Sequence, residues 1–320
     1  MKQMIAFHPG EGISNRVIKL ILCIRHTADK SKPVLLNWDT TANSVVKEPF
    51  SKLFKFEYDC DLVETDIPIN ISEIWGTDYI NCADTCIGGG GYKNLGRYFG
   101  ANVLDIVEGH VVEWNSQSKN NIHKGFIYEA PQELLNNFLP LFKALKPSTY
   151  VEKRISQVKT TNYVSVHIRL DNVWKEWGRG TDKDINDFFS VMDNYPKDTL
   201  FFLASADPRV AAKFVKRYGK RIIQIPDKDF SSDFDAVADI YLLSRGRELI
   251  ASYGSSFSNL SWWLSGCKMK VTVVGDSQNW QHNGVPKPKK PLLLKRIINA
   301  LIRRLRKFKS CFQWNTPTNI

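Results

Sequence analysis

The sequence predicts an α/β protein with two doubly wound, parallel-sheet domains that face each other across a cleft. Strand-like and helix-like segments alternate in each half of the 320-residue chain, and such alternation is typical of parallel sheets covered by helices. The clearest strand, residues 163–166, is an apolar run that leads directly into His167, Arg169 and Asp171. Because α/β sheets bind ligands beyond the carboxyl ends of their strands, these three side chains are candidates for a binding site.

Size and composition agree with this class. A chain of 320 residues of which 43% are hydrophobic can fill the cores of two domains of about 150 residues each. Neither a signal peptide nor an apolar run of about 20 residues is present, so no membrane-spanning helix is expected. The cysteines form no CxxC pair and no zinc-binding set, which favours reduced thiols in a cytosolic protein: Cys23, Cys60, Cys82, Cys86, Cys267 and Cys311.

The net charge of +11 is concentrated near the carboxyl end. Ten basic residues and no acidic residue lie between Lys287 and Lys309, and without them the charge is +1. The body of the protein is therefore nearly neutral, and a nucleic-acid partner is not expected.

The basic segment predicts an amphipathic helix over residues 292–308. A helix with basic side chains beside an apolar stripe lies in the headgroup plane of an anionic membrane. We therefore expect residues 287–309 to bind the inner face of a membrane, and the alternative is a helix docked on the amino-terminal domain. The apolar stripe consists of Leu294, Ile297, Ile298, Leu301, Ile302, Leu305 and Phe308.

The first half opens with a strand, a glycine-containing turn, a helix and a second strand. Residues 4–7 and 32–38 read as the strands, and Ser14 or Asn15 is a candidate cap for the helix between them. Residues 50–130 look irregular and polar, with four glycines at 88–91 in a flexible loop. Further helices are predicted over residues 131–145 and 151–158.

The second half alternates regularly between strands and helices. Predicted strands cover residues 163–166, 199–204, 221–225, 248–252 and 271–274, and predicted helices cover 184–192, 209–218, 235–246 and 259–264.

Three strand-end segments of this half resemble the donor half of the fucosyltransferase superfamily, which includes α1,6- and α1,2-fucosyltransferases, the rhizobial Nod-factor enzyme and protein O-fucosyltransferases. The segments are HIRLD at 167–171, ASADP at 204–208 and DIYLLSRGRELIASYGSSFSNL at 239–260. Residues 10–16, GEGISNR, are similar to the glycine-rich turn that follows the first strand of the family.

The resemblance implies a GT-B architecture with two Rossmann-like domains, to which the residues of the tail add a predicted carboxyl-terminal basic amphipathic helix. Residues 1–155 would form the acceptor-side domain, residues 156–285 the nucleotide-sugar donor domain, and residues 286–320 the basic tail.

The resemblance also implies roles for individual residues. Arg169 matches the arginine that binds the donor diphosphate, and His167 matches the histidine beside it. The nucleotide pocket would include Ser205, Asp207 and, near the nucleoside, Asp239. Ser255, Ser256 and Phe257 match a loop that wraps the phosphates with backbone amides. The acceptor-side or phosphate loop would comprise Gly10, Gly12, Asn15 and Arg16.

The implied chemistry is inverting transfer of a sugar from a nucleotide sugar, without metal or other cofactor. Arg169 would stabilise the charge that develops on the departing diphosphate. The carboxylate that receives the acceptor proton is left open among Glu11, Asp171 and Glu176. Trp174 and Trp177 could stack on a sugar ring or simply pack. The triplet Asp59-Cys60-Asp61 has the form of a metal-binding DxD motif, but no nucleotide-binding pattern surrounds it.

We therefore expect a cytoplasmic, membrane-peripheral glycosyltransferase that builds a surface polysaccharide or similar glycoconjugate, with GDP-fucose as the first choice of donor and a glycan or lipid-linked glycan as acceptor. The alternatives are the same fold with another donor, such as a UDP- or GDP-linked pentose or deoxyhexose, and a non-catalytic nucleotide- or glycan-binding protein.

Overall fold

The structure is a computed structural model that describes residues 3–6, 12–26, 34–41, 44–65, 106–107, 110–111, 128–130, 132–169 and 182–275. These residues belong to one compact unit, Met1–Ser277. The second unit, Gln278–Ile320, lies outside the described residues, and with it the predicted basic helix.

The described part of the chain contains the following elements. The helices are α1 (Ile13–His26), α2 (Phe50–Leu53), α3 (Gln132–Ala144), α4 (Thr149–Ile155), α5 (Asp182–Asp193), α6 (Pro208–Tyr218), α7 (Asp233–Leu243) and α8 (Ser256–Leu264). The strands are β1 (Gln3–Ala6), β2 (Val34–Asn37), β3 (Phe54–Phe56), β4 (Leu62–Thr65), β5 (Ile106–Val107), β6 (His110–Val111), β7 (Leu145–Pro147), β8 (Val164–Ile168), β9 (Phe201–Ser205), β10 (Ile222–Ile223), β11 (Glu248–Ser252) and β12 (Lys270–Val274).

A five-stranded parallel sheet forms the centre of the second half, in the order β10-β9-β8-β11-β12. The chain proceeds outward from β8 through β9 and β10, then returns to the other side of β8 with β11 and β12. The crevice between the carboxyl ends of β8 and β11 is therefore the point where the strand order reverses. Ligands of open α/β sheets bind at such a point.

Apolar side chains cover both faces of this sheet. On one face, Val164 and Val166 pack in a core with Phe188 of α5 and Phe214 of α6. On the other face, Phe202 and Ala251 belong to a core that includes Val237 of α7 and Trp262 of α8. The central strands β8, β9 and β11 are buried on both sides, which explains why their sequences are mostly apolar.

The amino-terminal segments form a three-stranded parallel sheet in the order β1-β2-β4. Helix α1 packs against α3 and α8, and its apolar residues Val17, Leu20 and Ile21 lie in the same core as Trp262. This packing brings the amino end of α1 to the carboxyl edge of the five-stranded sheet. The two-domain division remains a prediction.

The prediction of irregular structure over residues 50–130 is wrong for residues 50–65. Strand β4 pairs in parallel with β2, and β3 pairs antiparallel with β7. Both pairings join segments that are distant in sequence, so local patterns carry little sign of them. Phe54 and Leu53 are buried in the main core, and this burial is what fixes the segment.

Candidate functional site

A cavity of about 220 Å³ lies at the crevice between β8 and β11. Its walls come from four parts of the chain: the amino end of α1, the ends of β8 and β9, the segment between β10 and α7 together with α7 itself, and the first turn of α8. The described lining residues include Gly12, Ser14, Asn15, His167, Arg169, Ser205, Lys228, Phe230, Asp239, Ser256 and Phe257.

Ser252 ties together the two strand ends that border the crevice. Its hydroxyl accepts a hydrogen bond from the Arg169 backbone N–H at 2.8 Å and donates one to the His167 carbonyl at 3.1 Å. The backbone on either side of Arg169 is thus held at the edge of the cavity.

His167 is a buried neutral imidazole. Its Nδ1 lies 2.7 Å from the Ser258 hydroxyl oxygen and 3.4 Å from that of Ser255, and its ring stacks on Phe257 with centroids 4.7 Å apart. Burial, with the nearby positive charges of Arg169 and Lys228, lowers the pKa of His167 to about 3. The side chain therefore holds the first turn of α8 in place and carries no positive charge at neutral pH.

The amino terminus of α8 faces this site. The structure corrects the expectation that Ser255–Phe257 form a loop and that the helix begins at Asn259, because α8 begins at Ser256 with Ser255 as its N-cap residue. Ser255 makes no side-chain cap hydrogen bond, since its hydroxyl lies beside His167 instead. The first backbone N–H groups of a helix have no partner within the helix and favour anions, so Ser256 and Phe257 bring an anion-binding turn to the cavity.

The amino terminus of α1 reaches the same cavity. Gly12, Ser14 and Asn15 line it, and the buried atoms Ser14 Oγ and Asn15 Oδ1 have no hydrogen-bond partner within the described residues. Buried polar atoms are normally satisfied, so these two are available to a bound molecule. Two helix amino termini therefore open into one cavity.

Arg16 lies apart from the cavity lining and is fully buried. Its guanidinium donates to the Asp39 carbonyl at 2.6 Å and to the Ser44 hydroxyl at 2.7 Å, and it lies 5.3 Å from the centre of the Trp38 ring. These contacts join α1 to the segment after β2.

Lys228 and Asp239 form a buried ion pair in the cavity wall. Lys228 Nζ donates to Asp239 Oδ2 and to the Ser205 carbonyl, the latter at 3.1 Å. The two side chains are 7% and 5% exposed. Burial raises the pKa of Asp239 to about 6, although contact with Lys228 opposes the rise. The second carboxylate oxygen, Oδ1, is buried and has no hydrogen-bond partner among the residues described.

A second ion pair holds the segment that carries Lys228. The Arg154 guanidinium on α4 binds both carboxylate oxygens of Asp235 on α7. It also donates to the carbonyls of Pro226 at 3.1 Å and Asp227 at 3.2 Å, and Asp235 accepts from the Asp229 N–H at 2.7 Å. We call this arrangement the Arg154 clamp; it fixes the backbone on both sides of Lys228.

The structure thus brings eight of the predicted site residues to one cavity: Gly12, Asn15, His167, Arg169, Ser205, Asp239, Ser256 and Phe257. Ser255, the N-cap residue of α8, adjoins Ser256 but is not itself a lining residue. Asp207 instead caps α6, accepting from the Arg209 N–H at 2.8 Å and pairing with its guanidinium. Gly10, Glu11 and Asp171 lie outside the described residues, as do Trp174, Glu176 and Trp177.

Sequence reasoning missed Lys228, Phe230 and Ser14 as lining residues. A lysine in a polar segment usually indicates solvent exposure, and nothing in DKDFSS at 227–232 signals burial. The only sign in the sequence was Asp239, an aspartate within a mostly apolar helix. Such a carboxylate requires a partner once it is buried.

Metal-binding geometry is not found in the described part of the chain. No group of three or more His, Cys, Asp or Glu side chains there is placed to hold a metal ion. Asp59 and Asp61 of the DxD triplet are exposed to solvent. No described helix is both long and apolar enough to cross a membrane.

Comparison with known proteins gives structural matches only. No family model and no curated protein matches the chain. It is similar to NodZ α-1,6-fucosyltransferase soaked with GDP-fucose (TM-score 0.48, 15% identity, covering 82% of this chain and 93% of that one). It is also similar to POFUT1 in complex with GDP (0.47, 14%, 86% and 98%), and to a variant of Arabidopsis thaliana FUT1 in complex with GDP (0.46, 12%, 84% and 69%). These three are fucosyltransferases, the class of enzyme that the sequence motifs resemble.

Proposed function

We propose that the protein is a glycosyltransferase that transfers a sugar from a nucleoside-diphosphate sugar, GDP-fucose first, to a glycan acceptor with inversion. The observation that carries the proposal is the cavity at the strand-order reversal, where Arg169 and the amino termini of α1 and α8 converge. The sequence resemblance and the GDP or GDP-fucose bound by similar structures favour a guanine nucleotide.

The convergence of these groups suits a diphosphate. An arginine fork forms paired hydrogen bonds with phosphate oxygens and keeps its charge at any working pH. The first-turn amides of α8 add donors that need no reorganisation. Ser14 Oγ and Asn15 Oδ1 are both unpartnered within the described residues. The Ser14 hydroxyl can donate and would meet a diphosphate oxygen, whereas Asn15 Oδ1 only accepts and would meet a hydroxyl of the transferred sugar or of the acceptor.

In the reaction, the acceptor hydroxyl oxygen forms a bond to the anomeric carbon while the bond from that carbon to the β-phosphate oxygen breaks. The electron pair leaves with the diphosphate, whose added charge Arg169 and the α8 amides stabilise. The hydroxyl proton passes to a carboxylate. Glu11, Asp171 and Glu176 are the candidates for this role. His167 is not one, because burial and the positive charges of Arg169 and Lys228 oppose the positive charge that its ring would gain with the proton.

The test combines ligand binding with turnover. We expect GDP and GDP-fucose to raise the melting temperature, since a ligand at 100 times its Kd adds about 2.7 kcal/mol of stability. We expect transfer or hydrolysis of GDP-fucose to persist in EDTA and to fall about 10²–10³-fold in Arg169→Ala. Arg209→Ala is the matched control, because Arg209 pairs with Asp207 outside the cavity lining.

Each other result has a definite meaning. Stabilisation by UDP alone would keep the site and change the donor. Binding of GDP without any turnover would favour a nucleotide-binding protein. Turnover that is the same in Arg169→Ala and the wild type would refute the role of Arg169.

We further propose that residues 287–309 bring the enzyme to an anionic membrane and hence to lipid-linked glycan acceptors. The support is the sequence, which places ten basic and no acidic residues in this segment. Truncation after Gly284 should abolish co-sedimentation with phosphatidylglycerol vesicles and leave GDP binding intact. Undiminished co-sedimentation of the truncated chain would refute the membrane role.

A further inference from the structure

We propose that Lys228 is the specificity-determining residue for the base of the donor, donating a hydrogen bond to the O6 carbonyl of guanine. This inference rests on the proposed function and extends it, because neither the sequence motifs nor the resemblance assigns a role to Lys228. Among the residues that the structure describes, the buried Lys228–Asp239 pair has two unused hydrogen-bonding positions.

An ammonium group has three N–H donors. Within the described residues, Lys228 Nζ uses two of them, on Asp239 Oδ2 and on the Ser205 carbonyl. The Phe230 ring, whose centre lies 4.9 Å from Lys228 Nζ, covers one side of the ammonium. Since Lys228 lines the cavity, the third donor is available to a molecule bound there.

Asp239 supplies the complementary acceptor. Its Oδ1 is buried without a partner while its Oδ2 is held by Lys228, so the pair offers one acceptor and one donor side by side. Such a pair matches an edge on which an N–H lies next to a carbonyl oxygen, as N1–H and O6 of guanine do; uracil has the same pattern in N3–H and O4, so the pair by itself discriminates against adenine. Asp239 Oδ1 would then accept from N1–H while Lys228 donates to O6.

The same pair disfavours adenine. With the diphosphate fixed by Arg169 and the helix amino termini, adenine in the same pose would present its N1 lone pair to the carboxylate and its amino group to the ammonium. The first contact would place two acceptors face to face and the second two donors, and buried polar groups left without partners are costly. A site built to hydrogen-bond one group therefore rejects the analogue that lacks it.

The wall that holds Lys228 is rigid enough to support this selection. The Arg154 clamp fixes the carbonyls of Pro226 and Asp227 on one side of Lys228 and the Asp229 N–H on the other. The ammonium itself is anchored to β9 through Ser205. A donor held from three elements discriminates better than a mobile surface lysine.

The experiment compares a ligand that has the base with one that lacks it. Isothermal titration would measure Kd for GDP, ADP and inorganic pyrophosphate with the full-length wild type, Lys228→Met, and Arg169→Ala as the control. We expect Lys228→Met to weaken GDP binding about 10- to 100-fold, to leave pyrophosphate binding within about twofold, and to reduce the GDP-over-ADP preference. Arg169→Ala should weaken all three ligands together.

Several outcomes separate this inference from the proposed function. If no nucleotide or pyrophosphate binds the wild type, the proposed function fails. If GDP binds the wild type and Lys228→Met equally well, only the role of Lys228 fails. Equal weakening of GDP and pyrophosphate would show a merely structural role and also overturn it. Lys228→Gln, which keeps amide donors near this position, should recover part of the GDP affinity and serves as the second variant if Lys228→Met does not fold.

Discussion

The Arg154 clamp gives the sharpest prediction about stability. In Arg154→Met, Asp235 loses both of its guanidinium contacts while its side chain, only 2% exposed, stays buried. The carbonyls of Pro226 and Asp227 lose a donor as well. Removing one partner of a buried ion pair typically costs 3–5 kcal/mol.

Arg154 itself is 22% exposed, so water will partly replace the lost contacts, and we expect the lower end of that range, about 3 kcal/mol. Asp235 also keeps the Asp229 N–H as a donor, which is a second reason to expect a loss at the lower end of the range. The measurement is the free energy of unfolding from urea titrations followed by tryptophan fluorescence.

Arg209→Met is the matched control. It breaks an arginine–aspartate pair of similar geometry, but there the arginine side chain is 76% exposed, and surface pairs contribute little. Its unfolding midpoint should equal that of the wild type. If Arg154→Met lowered the midpoint no more than Arg209→Met does, the clamp would not hold the cavity wall.

Two further predictions concern the five-stranded sheet. The first is that His167→Asn loses less stability in acid than the wild type: the folded protein keeps His167 neutral down to a pKa of about 3, whereas the unfolded chain takes up a proton near pH 6.5. The stability that His167 contributes is thus complete above pH 6.5 and falls as the pH drops, by about 2.7 kcal/mol at pH 4.5. Urea titrations at pH 7.5 and pH 4.5 measure this loss in the wild type and in His167→Asn. An equal loss in the two proteins would contradict the prediction. The second is that Gly246→Ala destabilises the fold by about 1–3 kcal/mol, because the new Cβ would lie 2.2 Å from Ser165 Oγ and 3.0 Å from Ser165 N. Gly12→Ala, which meets no atom within 4 Å, is the control, and similar melting temperatures for the two variants would refute the steric argument.

The strands of the second half could be predicted from sequence because their burial on both faces leaves a direct record. Residues 164–168 and 201–205 are mostly apolar, and every side chain in them is buried. The Ser232 cap of α7 and the Asp207 cap of α6 likewise use the residue types that favour helix starts. Such features depend on the local chain, and local patterns report them.

Features that depend on distant partners were not predictable in the same way. Strand β4 has an exposed Val63 and forms only through its pairing with β2. Helix α8 begins at Ser256 because His167, 88 or more residues earlier, engages Ser255 and Ser258. Lys228 is buried because Asp239 on another element requires a partner.

His167 shows how the fold separates structural support from chemistry at this site. Within the described residues, the elements that bear on its ring are α8, through Ser255, Phe257 and Ser258, and the positive charges of Arg169 and Lys228. Two cations beside a buried imidazole exclude a third charge, so His167 cannot take a proton from an acceptor near neutral pH. What it does instead is hold the first turn of α8 against β8, where the amides of Ser256 and Phe257 meet the cavity. In the proposed reaction a carboxylate therefore remains the candidate proton acceptor, and the cations that keep His167 neutral would also suit a site that receives the charge of a departing diphosphate.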